Sequence, residues 1–131
     1  MIVLHFETER EMLEYLSMYR DYYYELIELE HEIGIHSPAI SNDGGSGHSN
    51  KIAQYNRNIE RPRELEARMR DVELVIEKLH HIDNISYVIM YHKFIRMMSL
   101  EAISLMLHYS ISSITHAYYP AAKKKLFELC Q

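Results

Sequence analysis

A single cysteine, Cys130, rules out an internal disulfide, and with it the disulfide-built scaffolds of small secreted proteins. Proline and glycine are scarce, at 3 and 4 in 131 residues, so little in the chain interrupts a helix. Helix formers are plentiful by contrast, and the expected fold class is all-α. No apolar run approaches the roughly 20 residues of a membrane span. The first residues lack the basic-then-apolar order of a signal peptide. A cytoplasmic protein without a membrane partner is the expectation. Apolar content, at 47%, is that of an ordinary folded chain, which argues against wholesale disorder. A chain of this length buries about 65% of its unfolded surface, enough for one or two small domains.

Positive charge is the other scarcity. The formal net charge is −5, and it is unevenly spread. Residues 1–36 carry a net −7, residues 37–83 a net −1, and residues 84–131 a net +3. The only basic third is the last one. Phosphate contact would fall there, with modest strength per protomer.

Three segments follow from composition. Residues 1–36 form an acidic, tyrosine-rich helix. Thr8-Glu9-Arg10-Glu11 has the form of a capping box, in which Thr8 covers the N3 amide and Glu11 reaches back. Met12, Leu16, Tyr19, Tyr23, Leu26 and Ile33 recur at four and three, a seam of coiled-coil spacing that Tyr15, Tyr22 and Tyr24 widen. Aromatic area with polar tips suits a packed interface as well as a core, so a homo-oligomer through this helix is expected. Gly34 is placed to end it. Residues 37–50, SPAISNDGGSGHSN, have no periodicity and read as a flexible linker. Their GGSG lacks the Lys-Ser/Thr and flanking strand of a phosphate loop.

Residues 51–131 hold support helices and a terminal pair. Lys51–Ile59 is expected to be helical, and Pro62 either kinks it or opens the next helix. Leu65, Met69, Val72, Ile76 and Leu79 keep a heptad seam, and the linker is long enough for this helix to return antiparallel to the tyrosine helix. Asp83 or Asn84 caps a helix over about Ile85–Arg96, with Ile85, Val88 or Ile89, His92 and Ile95 facing inward.

Ser99 can cap the next helix, with Glu101 in its first turn and Ile103, Met106 and Leu107 as its apolar stripe. His108-Tyr109-Ser110 breaks the pattern. Ser110 can cap a further helix in which Ile114 and Ala117 or Tyr118 face back. Cap, short helix, turn, cap, second helix is the layout of a helix-turn-helix. The expected architecture is thus a pair of long N-terminal helices, hairpin or coiled-coil-like, plus a C-terminal helix-turn-helix. Pro120 falls where a continuous second helix would have its interior, so a kink near His116–Pro120, or a break, is predicted.

The order of residue types around this unit resembles the promoter-reading region of bacterial sigma factors. It resembles more closely the RinA/ArpU-type transcriptional regulators of phages and prophages. Tyr91 and Ile95, then Ser99-Leu100-Glu101-Ala102-Ile103, Tyr109-Ser110, Ile114, and late Ala122 with Leu126 carry the likeness, which spans roughly Ser37–Leu129. The resemblance implies a regulator that binds double-stranded DNA and puts its second helix in the major groove. It departs from that family in three places. No Arg or Lys precedes Lys123 in the second helix, His108 stands where sigma-like turns often have glycine, and Pro120 interrupts.

In such a unit the leading residues of the second helix reach base edges and phosphates. The DNA-binding candidates are therefore Ser110, Ile111, Ser112, Thr115, His116 and Tyr119, with Lys123, Lys124 and Lys125 to neutralise phosphates. The alternative is a helical protein-interaction module that touches RNA polymerase without reading DNA sequence. Enzymatic chemistry has no constellation here. The nine histidines approach a metal pattern only at His31-Glu32 with His36 and at His80-His81 with Asp83, and neither is completed. Cys130 has no evident base and is expected to fray with the terminus. No catalytic residue, metal or cofactor is expected.

Overall fold

The structure, a computed structural model, describes residues 5–36, 53–54 and 56–131, all helix, turn or short connection with no strand among them. The expected linker 37–50 and most of the Lys51–Ile59 segment lie outside the described residues. Six α-helices are labelled α1 (Glu9–His36), α2 (Arg61–Glu77), α3 (Asn84–Met90), α4 (Leu100–Leu107), α5 (Ile111–Ser113) and α6 (Tyr119–Leu129). Three wider, π-wound segments adjoin them: Asn56–Glu60 before α2, Tyr91–Ile95 after α3, and Ile114–Tyr118 between α5 and α6.

The described residues group into two compact units. One unites the chain up to Arg20 with Arg70–Gln131, and the other spans Asp21–Met69. This division passes through α1 and α2.

In the first unit, Thr8 Oγ accepts from the Glu11 amide at 3.1 Å, the first half of the expected capping box. Met12, Leu16 and Tyr19 of α1 are buried, as are Val72, Ile76 and Leu79 on the other long helix and its exit. The Tyr19 hydroxyl donates to Glu73 at 3.4 Å. The Asp83 carboxylate caps α3 by accepting from the Ser86 amide at 3.3 Å. Ile89, Ile103 and Ile114 form a fully buried centre. Ile85, Met98, Leu100, Leu107, Tyr109 and Tyr119 pack around it.

In the second unit, Leu29, Leu65 and Met69 are buried. Arg61 binds Glu25 (Nη2–Oε1 2.8 Å), Arg57 binds Glu32, and Arg68 lies 5.8 Å from the Tyr22 ring centre. Partner numbers fall on α2 and the segment before it as they rise along α1, so this pair of helices runs antiparallel, as expected.

Two expectations for α1 are corrected. Tyr23 is exposed, and half-buried Tyr22 with buried Leu29 takes its side of the seam. A straight helix advances 3.6 rather than 3.5 residues per turn, so a heptad stripe drifts around it. Gly34 does not end the helix, which continues to His36. A helical glycine costs about 1 kcal/mol against alanine, which a long packed helix absorbs.

Candidate DNA-facing site

Two short helical stretches and the connection between them form the site, all within the first unit. The Ser99 hydroxyl oxygen accepts from the Ala102 amide at 3.1 Å and starts α4, with Glu101 in the first turn. Ile103 is fully buried, and the Ser104 hydroxyl turns back to donate to the Glu101 carbonyl at 2.7 Å. The helix closes at His108, whose backbone is left-handed at φ 61° and ψ 33°. The His108 amide donates to Leu105 and the Tyr109 amide to Ser104, at 3.4 and 3.1 Å. That pair of bonds is a Schellman closure with His108 at the position glycine usually takes. Tyr109, the next residue, packs against the buried Ile103 centre and supplies the hydrophobic contact that accompanies such a closure.

Ser110 begins the second stretch. Its hydroxyl oxygen accepts from the Ser113 amide at 3.0 Å. Ile114 is buried. The backbone then widens. The Tyr119 amide donates to the Ile114 carbonyl, five residues back, and α6 continues without leaving helical dihedrals. Pro120 explains the widening. A proline inside an α-helix clashes with the carbonyl four residues back, here His116. One extra residue in the preceding turn makes room for the ring. The irregularity expected at His116–Pro120 thus takes the form of a π-wound turn, after which α6 starts with Pro120 in its first turn.

The extra residue also changes which side chains face inward. Ile114, Tyr119, Ala122 and Leu126 follow at steps of five, three and four, with Tyr119 half-buried and the others fully buried. Ala117 and Tyr118, expected to face back, are exposed, and Tyr118 stacks on Tyr109 instead. Tyr119, expected to face DNA, packs on the isoleucine centre, where burial raises its hydroxyl pKa. In α4, Met106 is exposed at 39%, and Leu105 stands out at 77%. ISLML is apolar almost all round, so spacing alone could not orient it.

Of the remaining candidates, Ser110, Ile111, Ser112 and His116 are exposed and Thr115 half-buried. These five lie on the leading turns of the second stretch. The lysines divide. Lys123 lies 4.6 Å from the Tyr119 ring centre and 3.9 Å from a Glu9 oxygen. Lys125 bonds Asp83 at 2.7 Å, and that hydrogen bond holds the Asp83 carboxyl below its ordinary pKa against the opposing effect of burial. Lys124 alone of the three is exposed with no partner among the described residues. The triplet is thus one outward cation and two internal braces.

Cys130, expected to fray, is buried at 3% exposure, and desolvation raises its thiol pKa. The Gln131 side-chain amide, Nε2, donates to the Phe6 carbonyl at 3.0 Å and ties this end to the start of the chain. Among the described residues no three His, Cys, Asp or Glu side chains gather as a metal set, and no helix is long and apolar enough to cross a membrane. Compared with models of known protein families, with curated proteins and with solved structures, the chain matches none.

Proposed function

We propose that the chain is a DNA-binding transcriptional regulator of the phage or prophage type, and that α4 with the stretch beginning at Ser110 acts as a sigma-like helix-turn-helix. The observation that carries this reading is the junction at His108–Ser110. A left-handed closure is followed by a serine cap, and the two helical stretches share one buried isoleucine centre. That arrangement leaves Ile111, Ser112 and His116 exposed on the leading turns. Serine and histidine can bond base edges or phosphates, and isoleucine can touch a thymine methyl. Lys124 supplies a phosphate contact. With so few outward cations, useful affinity needs two protomers on the DNA. Exposed Tyr23, Tyr24 and Ile27 on the acidic helix support a homo-oligomer.

The test is a fluorescence-anisotropy titration of duplexes from the gene's own neighbourhood against a random duplex, at low and moderate salt. Sequence-dependent binding with a negative slope of log affinity on log salt is expected. Ser112→Ala with His116→Ala should relax sequence preference, and Lys124→Gln should weaken all duplexes and flatten the slope by about 1 per protomer. No binding at low salt overturns the reading.

A second reading rests on one observation. Leu105, Met106, Ile111 and Tyr118 are all exposed on these two stretches, while Lys123 and Lys125 are spent on acids. Apolar exposure with little free charge suits protein contact, such as RNA polymerase, better than DNA. Salt-insensitive capture of the polymerase would favour it.

A further inference from the structure

A groove of about 320 Å3 opens in the first unit beside the turn that leads into α4. Its polar wall is Ser17 and Arg20 of α1, Lys93 of the π-wound segment after α3, and Ser99 at the α4 cap. Its apolar wall is Phe94, Met97 and Met98. Two cations and two hydroxyls line it, and no carboxylate does, in a chain whose net charge is −5. Lys93 makes no ion pair among the described residues; its ammonium lies 5.7 Å from the Phe94 ring centre. The Ser99 oxygen already accepts from the Ala102 amide, so its own proton is left to donate outward.

The backbone here is held in an unusual form. Met97 has φ 57°, in the left-handed region that a long side chain rarely occupies. The Met98 amide donates to the His92 carbonyl at 2.9 Å, which fixes the turn and sets Met97, Met98 and Ser99 along one side of the groove.

We propose that this groove binds a small organic phosphate ester. The phosphate would take hydrogen bonds from Arg20, Lys93 and the Ser99 hydroxyl, and the organic part would lie on Phe94, Met97 and Met98. Charge-assisted bonds from a guanidinium and an ammonium are the strong class for phosphate, and the thioether wall is adaptable to shape. A ligand here touches α1 and the start of α4 together. It therefore bears on the element that the proposed function assigns to DNA, although the binding itself does not depend on that assignment.

The full-length chain should be titrated with phenyl phosphate, inorganic phosphate and phenol, followed by amide chemical shifts. Saturable one-to-one binding of phenyl phosphate is expected, with shifts centred on Arg20, Lys93 and Met97–Ser99. Inorganic phosphate should bind more weakly and phenol not measurably. Lys93→Gln should weaken phenyl phosphate about tenfold, Lys93→Arg much less, and Lys124→Gln not at all. Circular dichroism confirms that each variant folds; should Lys93→Gln fail to, Lys93→Met, which removes the charge but keeps the length of the side chain, gives the same comparison. Three results overturn the proposal: no saturable binding at millimolar phenyl phosphate, equal binding by the folded Lys93→Gln variant, or shifts at these amides with a DNA duplex but not with phenyl phosphate.

Discussion

Tyr109 and Tyr118 stack with ring centres 4.9 Å apart and planes 10° from parallel. One ring belongs to the connection after α4 and the other to the π-wound turn before α6. The pair therefore bridges the two stretches on their outer side, while Ile103 and Ile114 bridge them in the core. An aromatic pair contributes about 1 kcal/mol beyond the area it buries. Tyr118→Ala should lower the unfolding free energy by about that amount, and Tyr118→Phe should leave it nearly unchanged. Chemical denaturation of the three proteins measures this. Equal stability of Tyr118→Ala and wild type would mean that the stack contributes nothing.

The π-wound turns and the prolines belong together. Pro62 follows the segment Asn56–Glu60 by two residues, and Pro120 follows Ile114–Tyr118 by two. Deleting exposed Ala117 would return the second turn to α-winding and press Pro120 against the carbonyl four back. The loss should be about 3 kcal/mol. Adding Pro120→Ala to the deletion removes the clash. Ile114, Tyr119, Ala122 and Leu126 would then be spaced four, three and four, so most of the loss should return. If the double variant stays as unstable as the deletion alone, the widening has another cause.

These two relationships mark where the sequence was readable and where it was not. The seam Leu65, Met69, Val72, Ile76 and Leu79 is buried throughout, because a strict apolar repeat on a charged helix has one way to face. The caps at Thr8, Asp83, Ser99 and Ser110 are all present, since a cap is a local bond between residues three apart. The inward register after Ile114 was not readable. One inserted residue in a turn carries no signal of its own, and it exchanged Tyr118 for Tyr119. Pro120 was the hint, but proline permits a break, a kink or a widened turn. Nor could spacing join Arg20 to Lys93, because the groove they share depends on how distant segments pack.

His108 and Met97 are the two described non-glycine residues with positive φ, at 61° and 57°. A left-handed backbone costs a residue with a Cβ about 1 kcal/mol that glycine avoids. His108→Gly should therefore stabilise the protein by several tenths of a kcal/mol to about 1, after the unfolded chain's added freedom is counted. His108→Val should destabilise it by more, since β-branched residues resist this region most. Thermal melts of both variants decide the matter. A His108→Gly protein that melts below wild type would show that the imidazole contributes more than its backbone costs.

Asp83 serves two partners, the Ser86 amide at 3.3 Å and the Lys125 ammonium at 2.7 Å. Both favour its charged form, and the Lys125 bond is the larger influence. Its folded pKa lies below its unfolded one, so its contribution is full above the ordinary carboxylate range and fades as pH falls through the lowered folded value. Glu25, held down chiefly by its bond to Arg61, behaves in the same sense. Stability should fall below about pH 4, and less so in Asp83→Asn. At neutral pH, Asp83→Ala should cost about 1 kcal/mol through the lost cap, and Asp83→Asn less, because asparagine still caps. Urea midpoints across pH 2.5 to 7, chosen to bracket the usual carboxylate range, check the sign. A steeper acid loss in Asp83→Asn than in wild type contradicts the assignment.

Cys130 gives the C-terminus a chemical readout. Its thiol is buried, and desolvation raises its pKa, with Lys78 opposing weakly. Only a thiolate attacks a disulfide reagent, so both burial and the raised pKa slow the reaction. In the native protein the reaction should run far below the rate of a free cysteine and should reach that rate in denaturant. The Gln131 side-chain amide ties this end to the Phe6 carbonyl, so truncating Gln131 should speed native labelling while leaving the global unfolding midpoint nearly fixed. The comparison is sharp because the two quantities report different openings. A terminus that frays labels quickly without global unfolding, and a docked one labels only as fast as its last turn opens. Native labelling as fast as that of the unfolded chain would return Cys130 to the surface and remove the C-terminal turn from the core.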